Sequence, residues 1–112
     1  METRLSCKQI KISDEFYESA GQIYDFGFEM FGYIQAERYK QKIRQSLDTL
    51  SDFYLVHPEC RHLATKNRIY RNIILDAHLI IYRITDEQIE VLNIIHSASN
   101  IGKMRSTRKI HI

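Results

Sequence analysis

Arg68, Arg71, His78, Arg83 and His96 are spaced through one stretch, residues 67–100, that otherwise reads as short apolar β runs. Guanidinium groups bind phosphate through paired N–H donors, and imidazole exchanges a proton near neutral pH. Cleavage of RNA by its own 2′-hydroxyl needs a base, a group that holds charge on the phosphorane and an acid for the leaving oxygen. His96 as acid or base, Arg71 as the phosphate clamp and Tyr82 in support are residue types for that reaction, with Lys66 and Arg68 beside them. The same cations suit a plain binding surface for nucleic acid or an acidic protein. Each candidate also has a structural alternative. His96 closes the core at a strand end, Arg71 pairs with a helix carboxylate such as Glu15 or Asp48, and His78 is a surface hairpin residue. Tyr82 is core, with its hydroxyl at the edge.

The elements that must position these residues follow from periodicity. Runs at 68–75, 78–84 and 88–95, broken at Asp76-Ala77 and at 86–88, predict a tight antiparallel meander. Arg68 and Arg71 are three apart, so on one strand they point to opposite faces. In the last run, Leu92 and Ile94 fall on one face while Ile89, Val91 and Ile95 fall on the other, so this strand is apolar on both sides and central. Residues 9–13 alternate and predict a first strand. Ser13 is placed as an N-cap, followed by Asp14 and Glu15 where a helix dipole favours acids. Apolar positions from Phe16 to Phe31 give one helix face, and Gly32 ends that helix. Ala36, Tyr39, Ile43, Leu47 and Leu50 give a second, which must stop before Pro58. The stripe of Phe16, Tyr24, Phe28 and Tyr39 is expected mostly in the core, and Gly21 and Gly27 let the helix lie close to its neighbour.

The chain has 112 residues, 44% hydrophobic and 27% charged, which fits a single globular domain. The fold class is α+β: an antiparallel sheet of about four to five strands, with an N-terminal αα-hairpin packed on one face. A basic tail from about residue 97, with Lys103 and Arg105, is expected to be either a frayed terminus or a contact for a nucleic acid or acidic partner. The net charge of +2 divides unevenly: residues 1–60 carry −3 and residues 61–112 carry +5. That asymmetry suits an anionic partner for the sheet half, or simply a solvated mixed-charge surface. No apolar run reaches the length of a membrane span, and Met1–Ser6 is no secretory leader. Cys7 and Cys60 suit a reduced, cytoplasmic chain. His57, Glu59, Cys60 and His62 have no zinc spacing, so no metal is expected. Glu59 is a general base only if it reaches the sheet. No nucleotide-binding or hydrolase motif is present, so no cofactor is expected.

Strand, helix, helix and a three-stranded meander closing on Ile94-Ile95-His96 is an order that resembles the RelE/ParE superfamily of toxins from type II toxin–antitoxin, or plasmid stabilisation, systems. Ile12-Ser13 followed by Phe16 and Ala20 resembles the family's strand–Ser–helix opening. The segment 69–73 resembles its basic β segment, 78–84 its Tyr/His-x-Ile/Val-x-Tyr-x-Ile strand, and 89–96 its last strand. Together these cover about residues 9–100. The resemblance implies a growth-inhibiting toxin neutralised by a cognate antitoxin in a hetero-oligomer. Two mechanisms are implied: a RelE-like, ribosome-dependent mRNA interferase using Arg71, His96 and Tyr82, or a ParE-like inhibitor of DNA gyrase that cuts no RNA. Residues 94–100 are similar to the ParE-like ending, although Ser99 stands where the family has arginine. The His-Tyr pair of one ribonuclease branch is absent. The ParE-like reading is therefore preferred over the interferase, with an inactive relic of such a module as a third possibility. Target contacts would come from Lys66, Arg68, Arg71, Arg83, Lys103 and Arg105.

Overall fold

In the computed structural model, residues 8–112 are described; the readings made of Met1–Ser6 and of Cys7 lie outside them. Strand β1 (Gln9–Ile12) leads into helix α1 (Asp14–Phe31), α2 (Tyr33–Asp48) and the short α3 (Leu50–Phe53). Strands β2 (Tyr70–Ile74), β3 (His78–Ile84) and β4 (Gln88–His96) follow, and the chain ends in α4 (Ile101–Ser106) and a 3-10 turn at Thr107–Lys109.

The four strands form one sheet in the order β1-β4-β3-β2, so β4 is interior, as its two apolar faces require. The meander is antiparallel, but β1 runs parallel to β4. The sheet is therefore mixed, where an antiparallel one was expected. Only a tight turn obliges neighbours to run antiparallel, and β1 is separated from β4 by both long helices and two strands.

Ser13 starts α1. Its hydroxyl accepts the Phe16 amide at 2.9 Å, and its backbone amide bonds to Val91 of β4. The α1–α2 turn is a single residue, Gly32, at φ 90°, a conformation open to glycine and strained for other residues. Gly21 has nothing near the place a Cβ would take, and at Gly27 the Ala36 Cα would lie 4.0 Å away, an ordinary contact. Close helix packing is thus no reason for Gly21.

One core layer lies between the helices and the sheet, around Phe16, Ile43, Leu50, Ile80, Tyr82, Val91 and Ile94. The opposite sheet face is covered as well, by Cys60, Leu63 and Met104 packed on Ile81, Leu92 and Ile95. Met104 belongs to α4, so of the two expectations for the basic tail the frayed terminus does not hold: the segment folds back as a lid on the sheet, with Lys103 and Arg105 exposed. Asn100 caps that helix by accepting the Lys103 amide.

The face assignments along β4 need correction. Ile81 pairs with Asn93 but Tyr82 pairs with Val91, so Leu92 is an extra residue in β4, a bulge. The alternation slips by one there. Ile94 joins Ile89 and Val91 under the helices, and Leu92 joins Ile95 on the opposite face. The Leu92 carbonyl, set aside by the bulge, accepts the Ser13 hydroxyl.

The aromatic stripe also departs from expectation. Phe16 is buried, Tyr24 and Tyr39 are half-buried, and Phe28 is 48% exposed. A helix of 18 residues spans about 27 Å, and α1 buries only Phe16. Its second half outruns the sheet, which leaves the hairpin tip, with Phe26, Phe31, Tyr33 and Ile34 exposed, projecting from a body 48 Å long.

Candidate functional site

Arg71, Tyr82 and His96 do not share a site. Arg71 and Tyr82 are direct partners across β2 and β3, but His96 partners His78 at the other end of β3. Tyr82 lies four residue steps along β3 from His78, about 13 Å. The Tyr82 hydroxyl donates to the Tyr54 carbonyl in a fully buried setting, and burial pushes its pKa far up. It has no path to a substrate.

Arg71 has neither a carboxylate partner nor a free guanidinium. It donates to the carbonyls of Arg68 at 3.1 Å, Leu55 at 2.9 Å and His57 at 3.1 Å. Glu15 and Asp48 are not its partners. The His57 ring stands edge-on to Tyr82 at 6.2 Å, and its pKa is lowered first by burial and then by the Arg71 charge. Arg71 thus fixes the loop after α3.

Arg83 is equally committed. It pairs with its cross-strand neighbour Glu90 at 2.7 Å, and it donates to the Arg108 and Ile110 carbonyls, which clasps the chain end onto the sheet. Burial opposes its charge, but the hydrogen bonds with Tyr70 and Glu90 win and raise its pKa. Arg68 lies before β2 in a left-handed conformation, φ 54°, so the expected alternation with Arg71 along one strand does not apply. Lys66, Arg68, Lys103 and Arg105 are exposed, the first two on the loop before β2 and the last two on α4. Glu59 accepts the Thr65 amide and pairs through its backbone with Arg71, so it shapes that loop. Among the described residues, no three side chains of the His, Cys, Asp and Glu types gather as metal ligands.

A groove of about 890 Å³ lies between α1, α2 and the ends of β3 and β4. Ala20, Ile23, Gly27, Ala36 and Ile94 make its apolar surface. Gly21 faces it without a side chain, which widens it. Its charged lining is Lys40, Lys103 and Asp25, and Lys40 lies 3.9 Å from the Glu37 carboxylate, which leaves Lys103 as the groove lysine without a carboxylate among the described residues. Tyr24 is bonded to Glu37 at 2.6 Å, and that bond is the main reason its pKa is pushed up to about 12. At the sheet end lie Tyr39, His78 and His96. Tyr39 is 2.7 Å from His78 Nδ1, and the two imidazole rings are 5.4 Å apart. Burial, then the neighbouring His96, lowers the His78 pKa. His78 is therefore half-buried and bonded, not a loose hairpin residue.

Sequence reasoning missed Tyr39 and His78 as members of a site. The available signal was Tyr39 on the apolar face of α2. The pairing of His78 with His96 depends on the bulge.

Residues 10–101 match the family described as ParE toxin of type II toxin-antitoxin system, parDE. Among solved structures, the chain is similar to one described as the chromosomal ParDE TA system from P. aeruginosa. The identity is 16%, over 81% of this chain and 97% of that chain, with a TM-score of 0.67. That likeness is one of fold. No curated protein matches the sequence.

Proposed function

This chain belongs to the ParE toxin family of type II toxin–antitoxin systems, and from that premise we propose that it inhibits DNA gyrase and is silenced by an antitoxin segment seated in the α1–α2 groove. The observation that carries the gyrase reading is the separation of Arg71, Tyr82 and His96. General acid–base cleavage of RNA needs its groups within hydrogen-bond reach of one phosphate. Here one is buried, one holds backbone carbonyls and one lies about 13 Å along the sheet from Tyr82. An inhibitor that works by binding has no such requirement.

The groove reading is supported by its shape and sign. An amphipathic helix lays its apolar face into such a channel. The exposed apolar residues of the hairpin tip extend the channel, and Lys103 favours an acidic occupant. On the far edge of the sheet, residues 58–60 already pair with β2 along Tyr70–Asn72, so only its Ile74 end is open to strand addition.

Expression in cells without the antitoxin tests the target. Growth arrest with double-strand breaks and intact mRNA is expected, together with loss of supercoiling by purified gyrase. Cleavage of mRNA on translating ribosomes, with normal supercoiling, would establish the interferase instead. Unimpaired growth would identify an inactive relic.

A further inference from the structure

His78 and His96 are the last pair of the β3–β4 ladder. The Ser97 amide bonds to the Ala77 carbonyl, so the next pair outward is the bonded one. His78 and His96 therefore form a non-bonded pair, the kind whose facing side chains stand closest. Their rings meet at 75°.

The partners of these rings fix their protons. The Ala98 amide donates to His96 Nδ1 at 3.0 Å, so the neutral ring carries its hydrogen on Nε2. Tyr39 Oη lies 2.7 Å from His78 Nδ1, and with the hydroxyl as donor the ring hydrogen is again on Nε2. Neither Nε2 has an acceptor among the described residues. Two imidazole rings with unpaired Nε2 positions thus stand on neighbouring strands, their centroids 5.4 Å apart, among the residues that line a mainly apolar groove.

We propose that the His78–His96 pair is a carboxylate-binding site that holds one Asp or Glu side chain of the segment docked in the groove. This rests on the antitoxin-groove reading above. Two adjacent N–H groups match the two oxygens of a carboxylate. Lys103 on the same groove supplies the complementary sign, and the half-buried setting of His78 strengthens a charged hydrogen bond to it. A peptide is the fitting occupant because most of the groove surface is apolar, with Ala20, Ile23, Gly27, Ala36 and Ile94 available for an amphipathic segment to cover.

The test measures, by calorimetry, the affinity of the full chain for the small acidic protein encoded beside it. Replacing His78→Phe and His96→Phe together keeps both rings and removes both donors. Binding should weaken roughly tenfold to a hundredfold. One Asp→Asn or Glu→Gln change in the antitoxin should cost the same against the wild type and nothing further against the double variant. His78→Gln with His96→Gln, which retains amide donors, should lose less. An unchanged affinity for the phenylalanine pair, or an equal loss for every antitoxin carboxylate, would overturn the site, as would a defect confined to gyrase inhibition. Gly21→Glu separates the two readings, since it places a charge in the groove with a residue that forms helix better than glycine. If Gly21→Glu abolishes binding and the phenylalanine pair does not, the groove stands and the carboxylate site falls. If Gly21→Glu binds normally, the groove reading itself fails. Far-UV dichroism verifies folding, and His96→Phe alone, at an exposed position, replaces the pair if the double variant does not fold.

Discussion

The Arg71 guanidinium and the Leu55 carbonyl are joined at 2.9 Å across sixteen residues of chain. The most phosphate-like position in the sheet is thus filled by the protein's own backbone oxygens, and the arginine that most resembled a substrate clamp is a fastener for the loop between α3 and β2.

Arg71→Ala should accordingly act on stability. It removes hydrogen bonds to three carbonyls, at Arg68, Leu55 and His57. Charged hydrogen bonds of this kind contribute about 1.5–3 kcal/mol, discounted here because water reaches the site. A loss of about 2 kcal/mol, or roughly 8 °C in Tm, is expected in thermal melts. A variant that melts like wild type yet has lost toxicity would return Arg71 to the target surface.

Ser13→Ala should cost about 2–4 kcal/mol. It deletes the N-cap of α1, worth about 1 kcal/mol, and it strands the buried Leu92 carbonyl, worth about 1–3 kcal/mol. Chemical denaturation measures the sum. Ser13→Thr keeps the hydroxyl and should recover most of it.

The ion pair of Arg83 and Glu90 leaves its side chains only 16% and 13% exposed. Burial pushes the Glu90 pKa up, but hydrogen bonds from Gln88 and Arg83 outweigh it and hold the group below the usual carboxylate range. Its contribution is therefore present above about pH 4.3, the unfolded value, and is lost as pH falls through the lower folded value. Glu90→Gln should cost about 2 kcal/mol at neutral pH, less than a fully buried pair because Arg83 keeps two carbonyl acceptors. The difference between variant and wild type should shrink toward pH 3 in acid titrations of stability.

Two histidines set the opposite shoulder. His57 and His78 titrate near 6.5 when unfolded, and burial holds both lower in the folded chain, with help from Arg71 and His96 respectively. The unfolded chain binds more protons in that interval, so Tm should fall as pH drops from 7 toward 5. His57→Phe and His78→Phe should each flatten this dependence. An undiminished slope in both variants would exclude these rings as its source.

The elements were legible in the sequence because each rests on a local signal. Ser13 with its two following acids marks the start of α1, Gly32 its end, and the double-sided apolar pattern of residues 89–95 an interior strand. The candidate site was less legible, for a local reason of another kind. An extra residue at Leu92 shifts the pairing by one and sets His96 opposite His78, where a regular ladder would put Ile95. Nothing in Val91-Leu92-Asn93 distinguishes a bulged from a regular strand. The tail was misjudged because Met104 and Ile110 are too few to make a periodic pattern, yet they meet an apolar sheet face already waiting for cover. The roles of Arg71 and Arg83 were hidden because backbone carbonyls, their chief partners, leave no mark in side-chain identity.

The parallel pairing of β1 with β4 has a consequence for biosynthesis. Gln9 emerges from the ribosome long before its neighbour Gln88, and so distant a contact forms slowly. A nascent chain stalled short of residue 88 holds its opening strand without a mate and its amphipathic helices without a floor. The finished sheet, and with it any harm to the host, is expected only once residues 88–96 have followed into the open.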